Sequence, residues 1–183
     1  MKRLELQHRL NEVEALTQSA MFSYKQARVM FAEESEHSMY TALCRHTKSG
    51  VIHRVCKGVW INPFSRYANS DTRLEELTRL LRPNCFNYVS LETVLSQASV
   101  ISQQMFGYLT VMTTGTSKTV KTPFGTLELT HTKRPATDIF RHQIPEGRRI
   151  PWADVKTAYR DLKRVGRNVH MVDEDELLEL NYD

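Results

Sequence analysis

Apolar residues recur every three or four positions through the first fifty residues of the chain, and every second position in its middle third, so the period of the pattern divides it into helical and extended regions. Leu6, Leu10, Val13 and Leu16 are spaced as the inner stripe of an amphipathic helix over the first 18 residues. Ser23 followed by Gln26 is the signature of a capping box opening a short helix, YKQARVMF, with Ala27 and Met30 turned inward together with Val29 or Phe31. Ser35 can cap a third helix running to about Lys48, in which Met39, Ala42 and Leu43 form the apolar stripe and Gly50 supplies the stop. Three helices are therefore expected before the first strand.

The stretch VIHRVCKGVWINP, residues 51 to 63, reads as a β-hairpin broken at Lys57-Gly58, where Gly58 takes the positive φ of a short loop. Val51, Val55, Val59 and Ile61 are expected to pack on the helices. Pro63 stops the second strand, and a linker, INPFSRYANSD, leads to the helix TRLEELTRLL, whose apolar side is Leu74, Leu77, Leu80 and Leu81 and whose end is Arg82-Pro83. A strand at about 85 to 89 then enters a helix capped by Ser90. From Gly107 the segments GYLTVMTTG, KTVKT and GTLELTHTK alternate with period two around turns at Thr114-Gly115 and Pro123-Phe124-Gly125, which predicts an antiparallel meander. Trp152, Val155, Ala158, Tyr159 and Leu162 return to helical spacing. The acidic run from Asp173 to Glu176, which opens the closing segment DEDELLEL, suits a helix N-terminus. The expected class is α+β in two domains, residues 1–66 and 67–183, the first a winged helix-turn-helix and the second an antiparallel sheet with flanking helices.

Charge changes the picture in one place. Between residues 37 and 66 stand Arg45, Lys48, Arg54, Lys57 and Arg66 with no carboxylate, whereas residues 167 to 183 carry six carboxylates and a single arginine. On the third helix His37, Thr41, Arg45 and Lys48 fall at i, i+4, i+8 and i+11, with Ser38 at the edge of the same stripe. These are small or basic donors that suit phosphate oxygens and base edges. A basic block on its own is a solvated face. A basic helix followed by a hairpin with Arg54 and Lys57 at or near its tip is the order of a winged helix-turn-helix, and double-stranded DNA is then the partner. In that reading Thr41 and Arg45 meet bases in the major groove, while Lys48, Arg54 and Lys57 set the register through phosphates, with two protomers on a two-fold site.

The remaining residues argue against other chemistry. No apolar run approaches a membrane span, and the start MKRLELQHRLNEVE alternates charge with leucine, so a cytoplasmic protein without a membrane partner is expected. Cys44, Cys56 and Cys85 form an odd set without paired spacing and are expected to be reduced. Cys44, His46, His53 and Cys56 lie close together, but helix and strand periodicity turn them to different sides, so neither zinc nor another cofactor is expected. GTSKT at 115–119 lacks phosphate-loop spacing, and His131 and His142 stand without catalytic partners, so no enzyme is predicted. The basic run from Lys133 through Arg134, Arg141, Arg148 and Arg149 reads equally as a second nucleic-acid contact and as a solvated loop.

The succession GVIHRVCKGVWINP, YVSLETVLSQASVI, GYLTVMTTGTSKTVKTPFGTLELTH and WADVKTAYRDLKRVGRN resembles the AbiEi family, the antitoxin half of a bacterial abortive-infection toxin-antitoxin pair. The resemblance implies a winged-helix domain that binds inverted repeats upstream of its own operon and represses it. It further implies a C-terminal domain tied to neutralising a cognate nucleotidyltransferase-like toxin. Family DNA contacts on the third helix and wing match Ser38, Thr41, Arg45, Lys48, Arg54 and Lys57. Two rivals stand beside it: a nucleic-acid-processing enzyme delivered by the winged helix, and a ligand-responsive regulator without a toxin.

Overall fold

Ser23 begins the first unit's architecture, because it ends a strand and caps a helix at once. In the computed structural model, which describes residues 1–102 and 106–179, the chain divides into two compact units, Met1–Leu81 and Arg82–Asp183. Helix α1 (Arg3–Thr17) leads into strand β1 (Met21–Ser23), which runs straight into helix α2 (Tyr24–Met30). The capping box forms as expected: Gln26 N–H donates to Ser23 Oγ at 3.3 Å and Ser23 N–H donates to Gln26 Oε1 at 2.8 Å. Helix α3 (Glu36–Lys48) starts with Ser38 N–H donating to the Ser35 hydroxyl, and a hairpin of strands β2 (His53–Cys56) and β3 (Val59–Ile61) follows.

These three strands form one antiparallel sheet in the order β1-β3-β2, so β3 is central. Its partners are Phe22 and Arg54 opposite Trp60, and Ser23 and Cys56 opposite Val59, with Val55 as the extra residue of a bulge. Side chains alternate along a strand, so only one parity of β3 can meet the helices. Trp60 takes that side, stacked with Phe22 and buried with Leu6, Leu10, Ala27, Phe31, Met39, Leu43, Val51 and Ile52. Val51 therefore packs as expected, but Val55, Val59 and Ile61 bury the opposite face. The indole is the largest group available and fills the helical side, so the valine parity is displaced from it. In α1, Leu6 and Leu10 are buried while Leu16 is 86% exposed, so the inner stripe ends a turn earlier than its spacing suggests.

Helix α4 (Arg73–Leu81) packs against β1 and belongs to the first unit. The unit therefore ends at Leu81, beyond the boundary at 66 that the linker composition suggests. Buried Glu76 fastens it there, accepting from the Ser19 hydroxyl at 2.5 Å and the Thr72 hydroxyl at 3.2 Å. Of its leucines only Leu77 is fully buried; Glu75, Glu76 and Thr78 share the inner side.

The second unit holds a four-stranded sheet in the order β4-β5-β7-β6, built from β4 (Asn87–Val89), β5 (Tyr108–Thr113), β6 (Lys118–Thr122) and β7 (Gly125–His131). It is not a meander. The β6–β7 hairpin is antiparallel, but β7 inserts between β6 and β5 and pairs with β5 in parallel. Gly125 permits this: at φ +143°, a Cβ there would stand 2.3 Å from the Gly107 carbonyl oxygen, which instead accepts from Thr126 N–H at 2.8 Å. Helix α5 (Glu92–Gln97) is not capped by Ser90. Leu91, at φ +61°, precedes its first turn, and the Ser90 hydroxyl points elsewhere. A short helix α6 (Ala136–Ile139), helix α7 (Val155–Val165) and helix α8 (Glu174–Glu179) complete the unit. Trp152 lies before α7 and bridges Val89, outside the helical spacing predicted for it. Asp173 caps α8 through Asp175 and Glu176 N–H groups, so the acidic run does open a helix; the last four residues, with the end of DEDELLEL, lie outside the described residues. Among the described residues no helix is long and apolar enough to cross a membrane.

The sheet and α7 are joined through a buried carboxylate. Asp161, fully enclosed, accepts at Oδ2 from the Tyr88 hydroxyl (2.9 Å) and the Ser90 hydroxyl (2.8 Å), and at Oδ1 from Arg134 Nε (3.1 Å) and Nη2 (2.5 Å). Burial and the adjacent carboxylate push the Tyr88 phenol well above its usual range, so it stays a donor. Removing the carboxylate leaves one buried cation and two hydroxyls without their acceptor. Asp161→Ala is expected to cost the protein about 3–5 kcal/mol, read from urea unfolding; a loss below about 1 kcal/mol would mean that the ion pair is not structural.

Candidate nucleic-acid interface

Helix α3 buries Met39, Ala42, Leu43 and His46 on one side, which turns His37, Thr41 and Lys48 directly outward at ~100° per residue. Ser38 and Arg45 lie on one flank of this outer face and Tyr40 on the other. All six residues predicted from the sequence, Ser38, Thr41, Arg45, Lys48, Arg54 and Lys57, are exposed.

The elements that carry them are fixed to one another. The carbonyl of His46 accepts from both Val51 and Ile52 N–H groups (3.0 and 3.4 Å), so the hairpin starts at a set angle from the last turn of α3. Gly50, at φ +72°, makes that turn. Trp60 Nε1 donates to Thr47 Oγ1 at 3.1 Å, tying the central strand to the same turn. Arg54 lies directly across from Trp60, on the α3 side of the sheet, and its Nε donates to the Cys56 carbonyl at 3.3 Å. Lys57 and Gly58 form the hairpin's two-residue turn, with Gly58 at φ +79°. The Gly58 carbonyl accepts from Tyr24 N–H at 2.9 Å, which holds the tip against the start of α2 beside exposed Lys25. The arrangement is a cationic strip running from α3 onto a hairpin held along its length.

The two flanks of α3 differ. On the Ser38 side the hydroxyl donates to Glu34 Oε2 at 2.5 Å, and Arg45 Nη2 donates to the Met1 carbonyl at 2.9 Å. Glu34 also pairs with the Met1 ammonium, and that bond, followed by the one from Ser38, holds its carboxyl below the ordinary range. The Glu34 carboxylate is thereby paired within the chain, while Glu36, in the first turn of α3, is exposed. His46 sits beneath the face, its ring buried and pushed toward the neutral form by desolvation, so it adds no charge to the strip.

The second unit places its basic candidates differently. Arg134 is spent on Asp161, and its side chain is only 12% exposed, so it contributes to the core. Arg141 and Lys133 are exposed. Gly115 and Ser117 of the GTSKT turn are used by His131, whose ring Nδ1 meets the Gly115 carbonyl at 2.8 Å and whose N–H donates to Ser117 Oγ at 2.9 Å. The His142 ring lies tilted against Tyr88 at 4.7 Å and is pushed toward neutrality by burial. Ser90 is enclosed and already bonded to Asp161, so this Ser–Asp–Tyr grouping has no face for a substrate. Sequence reasoning missed it, since residues 88, 90, 134 and 161 meet only through tertiary packing. It also passed over Tyr40, whose sequence signal is its spacing of three from His37 and four from Cys44. Comparison with protein-family models, curated proteins and solved structures gives no match to this chain.

Proposed function

We propose that the first unit is a winged helix-turn-helix that binds double-stranded DNA, and that the protein is an autorepressing antitoxin. The observation that carries the DNA reading is the exposed cationic strip from α3 to the hairpin, on an element order α-β-α-α-β-β in which the hairpin's central strand pairs with the strand before α2. Helix α3 enters the major groove with Thr41 and Arg45 at base edges. Lys48, Arg54 and Lys57 neutralise phosphates and set the register. The hairpin acts as a short wing: its turn is level with the start of α2, so it meets the flanking backbone and does not reach deep into the neighbouring minor groove. Ser38, bonded to Glu34, contributes at the margin.

The antitoxin part of the proposal rests on the motif order that resembles the AbiEi family. It assigns the protein an operator with inverted repeats, occupied by two protomers, in the cytoplasm, and a nucleotidyltransferase-like toxin as the partner that the second unit opposes. Co-expression with a toxin of that class encoded beside it is expected to restore growth; unrelieved toxicity would remove the antitoxin role and leave the DNA reading intact.

A duplex selected by the full chain from a randomised pool provides the probe for the interface. Arg45→Ala is expected to weaken binding by about 1–3 kcal/mol and to relax preference at one base pair; equal weakening on every duplex would refute base reading by that side chain. Lys57→Ala is expected to weaken all duplexes alike and to flatten the slope of log affinity against log salt by about one. A slope that does not change takes the hairpin out of the interface.

A further inference from the structure

We propose that Tyr40 is a specificity-determining residue of this interface, its ring reading the 5-methyl group of a thymine in the major groove. The inference rests on the DNA reading above and goes beyond the cationic stripe that suggested it.

Three observations converge on this residue. Tyr40 is 51% exposed, and with Cys44 and Thr47 it forms a ridge at i, i+4 and i+7 along α3. That ridge leads to the hairpin, because the Thr47 hydroxyl at its end accepts the Trp60 indole N–H and Arg54 lies across from Trp60 on the same side of the sheet. The start of α2 closes this flank from the other end: Tyr24 Oη donates to the carbonyl of Glu36 at 3.5 Å, and Tyr24 N–H holds the hairpin tip. The ring therefore stands on the flank of α3 that turns toward the hairpin, next to the outward residues His37 and Thr41. On the opposite flank Ser38 donates to Glu34, and Arg45 must exchange its bond to the Met1 carbonyl for one to a base edge.

Chemistry then selects the ligand group. The outward residues nearest Tyr40 are His37 and Thr41, which recognise oxygens and ring nitrogens, and the exposed carboxylate of Glu36 lies one turn before it on the same flank. A phenol ring adds an apolar edge. Among the groups exposed in the major groove, the thymine methyl is the one that such an edge discriminates. The hydroxyl at the ring's far end remains available to a phosphate oxygen, which leaves the ring itself as the discriminating element.

The test uses the full chain and its selected duplex, with each thymine replaced singly by uracil so that only a methyl group is removed. Affinity of the native protein is expected to fall roughly fourfold at one position, the effect of one buried methyl. Tyr40→Phe should keep that ratio, and Tyr40→Ala should bind both duplexes equally with the salt slope unchanged. A Tyr40→Ala protein that still distinguishes thymine from uracil overturns the proposal. So does a loss that is equal on the thymine and uracil duplexes and that Tyr40→Phe reproduces, which would make the Tyr40 hydroxyl a phosphate contact only. A randomised pool that yields no bound duplex overturns the DNA reading itself, an outcome separate from either failure at Tyr40.

Discussion

Strand β3 is hydrogen-bonded on both edges and buried on both faces, and the arrangement of the first unit follows from that confinement. Because neighbouring residues of a strand point to opposite sides, placing Trp60 among the helices commits Val59 and Ile61 to the other face. The sheet then needs cover on that second face, and α4, packed on β1, is the helix on hand. The same indole reaches Thr47, so the parity of three residues also sets how the hairpin meets the last turn of α3. A slip of one residue would carry the tryptophan onto the valine face, away from Thr47, and detach the cationic strip from its base.

Local signals were legible in the sequence and long-range ones were not. The caps at Ser23 and Ser35, the helix stop at Gly50 and the turn at Gly58 each depend on contacts within four residues and stand where the residues placed them, whereas Ser90 is drawn off to Asp161. Strand β1 went unread because three residues, Met21–Ser23, are too few to show alternation. The parity of β3 and the membership of α4 are decided by volume and by the Ser19–Glu76 bond, which join residues far apart in the chain. The pairing of β5 with β7 is invisible to periodicity, which reports that segments are extended but not which neighbour each takes. At the interface, the helical stripe gave Ser38, Thr41, Arg45 and Lys48 and the hairpin gave Arg54 and Lys57, all exposed, while a search for donors alone passed over an aromatic on α3.

Charge counted along the chain differs from charge shown to solvent. Arg134 belongs by sequence to a basic run, yet its guanidinium is committed to Asp161. Arg167 is likewise held between Glu92 and Glu128, with Asn168 donating to Glu92 and Tyr108 to Glu128. These ion groups cost solvation and return a defined geometry, linking the sheet to the helix and turns that follow it. The cations of α3 and the hairpin differ because residues 37–66 hold no carboxylate; of the acidic residues just before them, Glu34 is paired with the Met1 ammonium and Glu36 is exposed in the first turn of α3.

The insertion of β7 between its two neighbours constrains the order in which the second unit assembles. The β6–β7 ribbon closes across a tight turn and is the low-entropy step, whereas β5 must find a partner about 18 positions away, past the whole of β6. Loop-closure entropy therefore favours the ribbon over the β5–β7 pairing, and the close approach of Gly107 and Gly125 sets where β7 can sit beside β5. The partner for that edge of β5 lies later in the chain than β6, so the edge can be satisfied only after the whole ribbon is present.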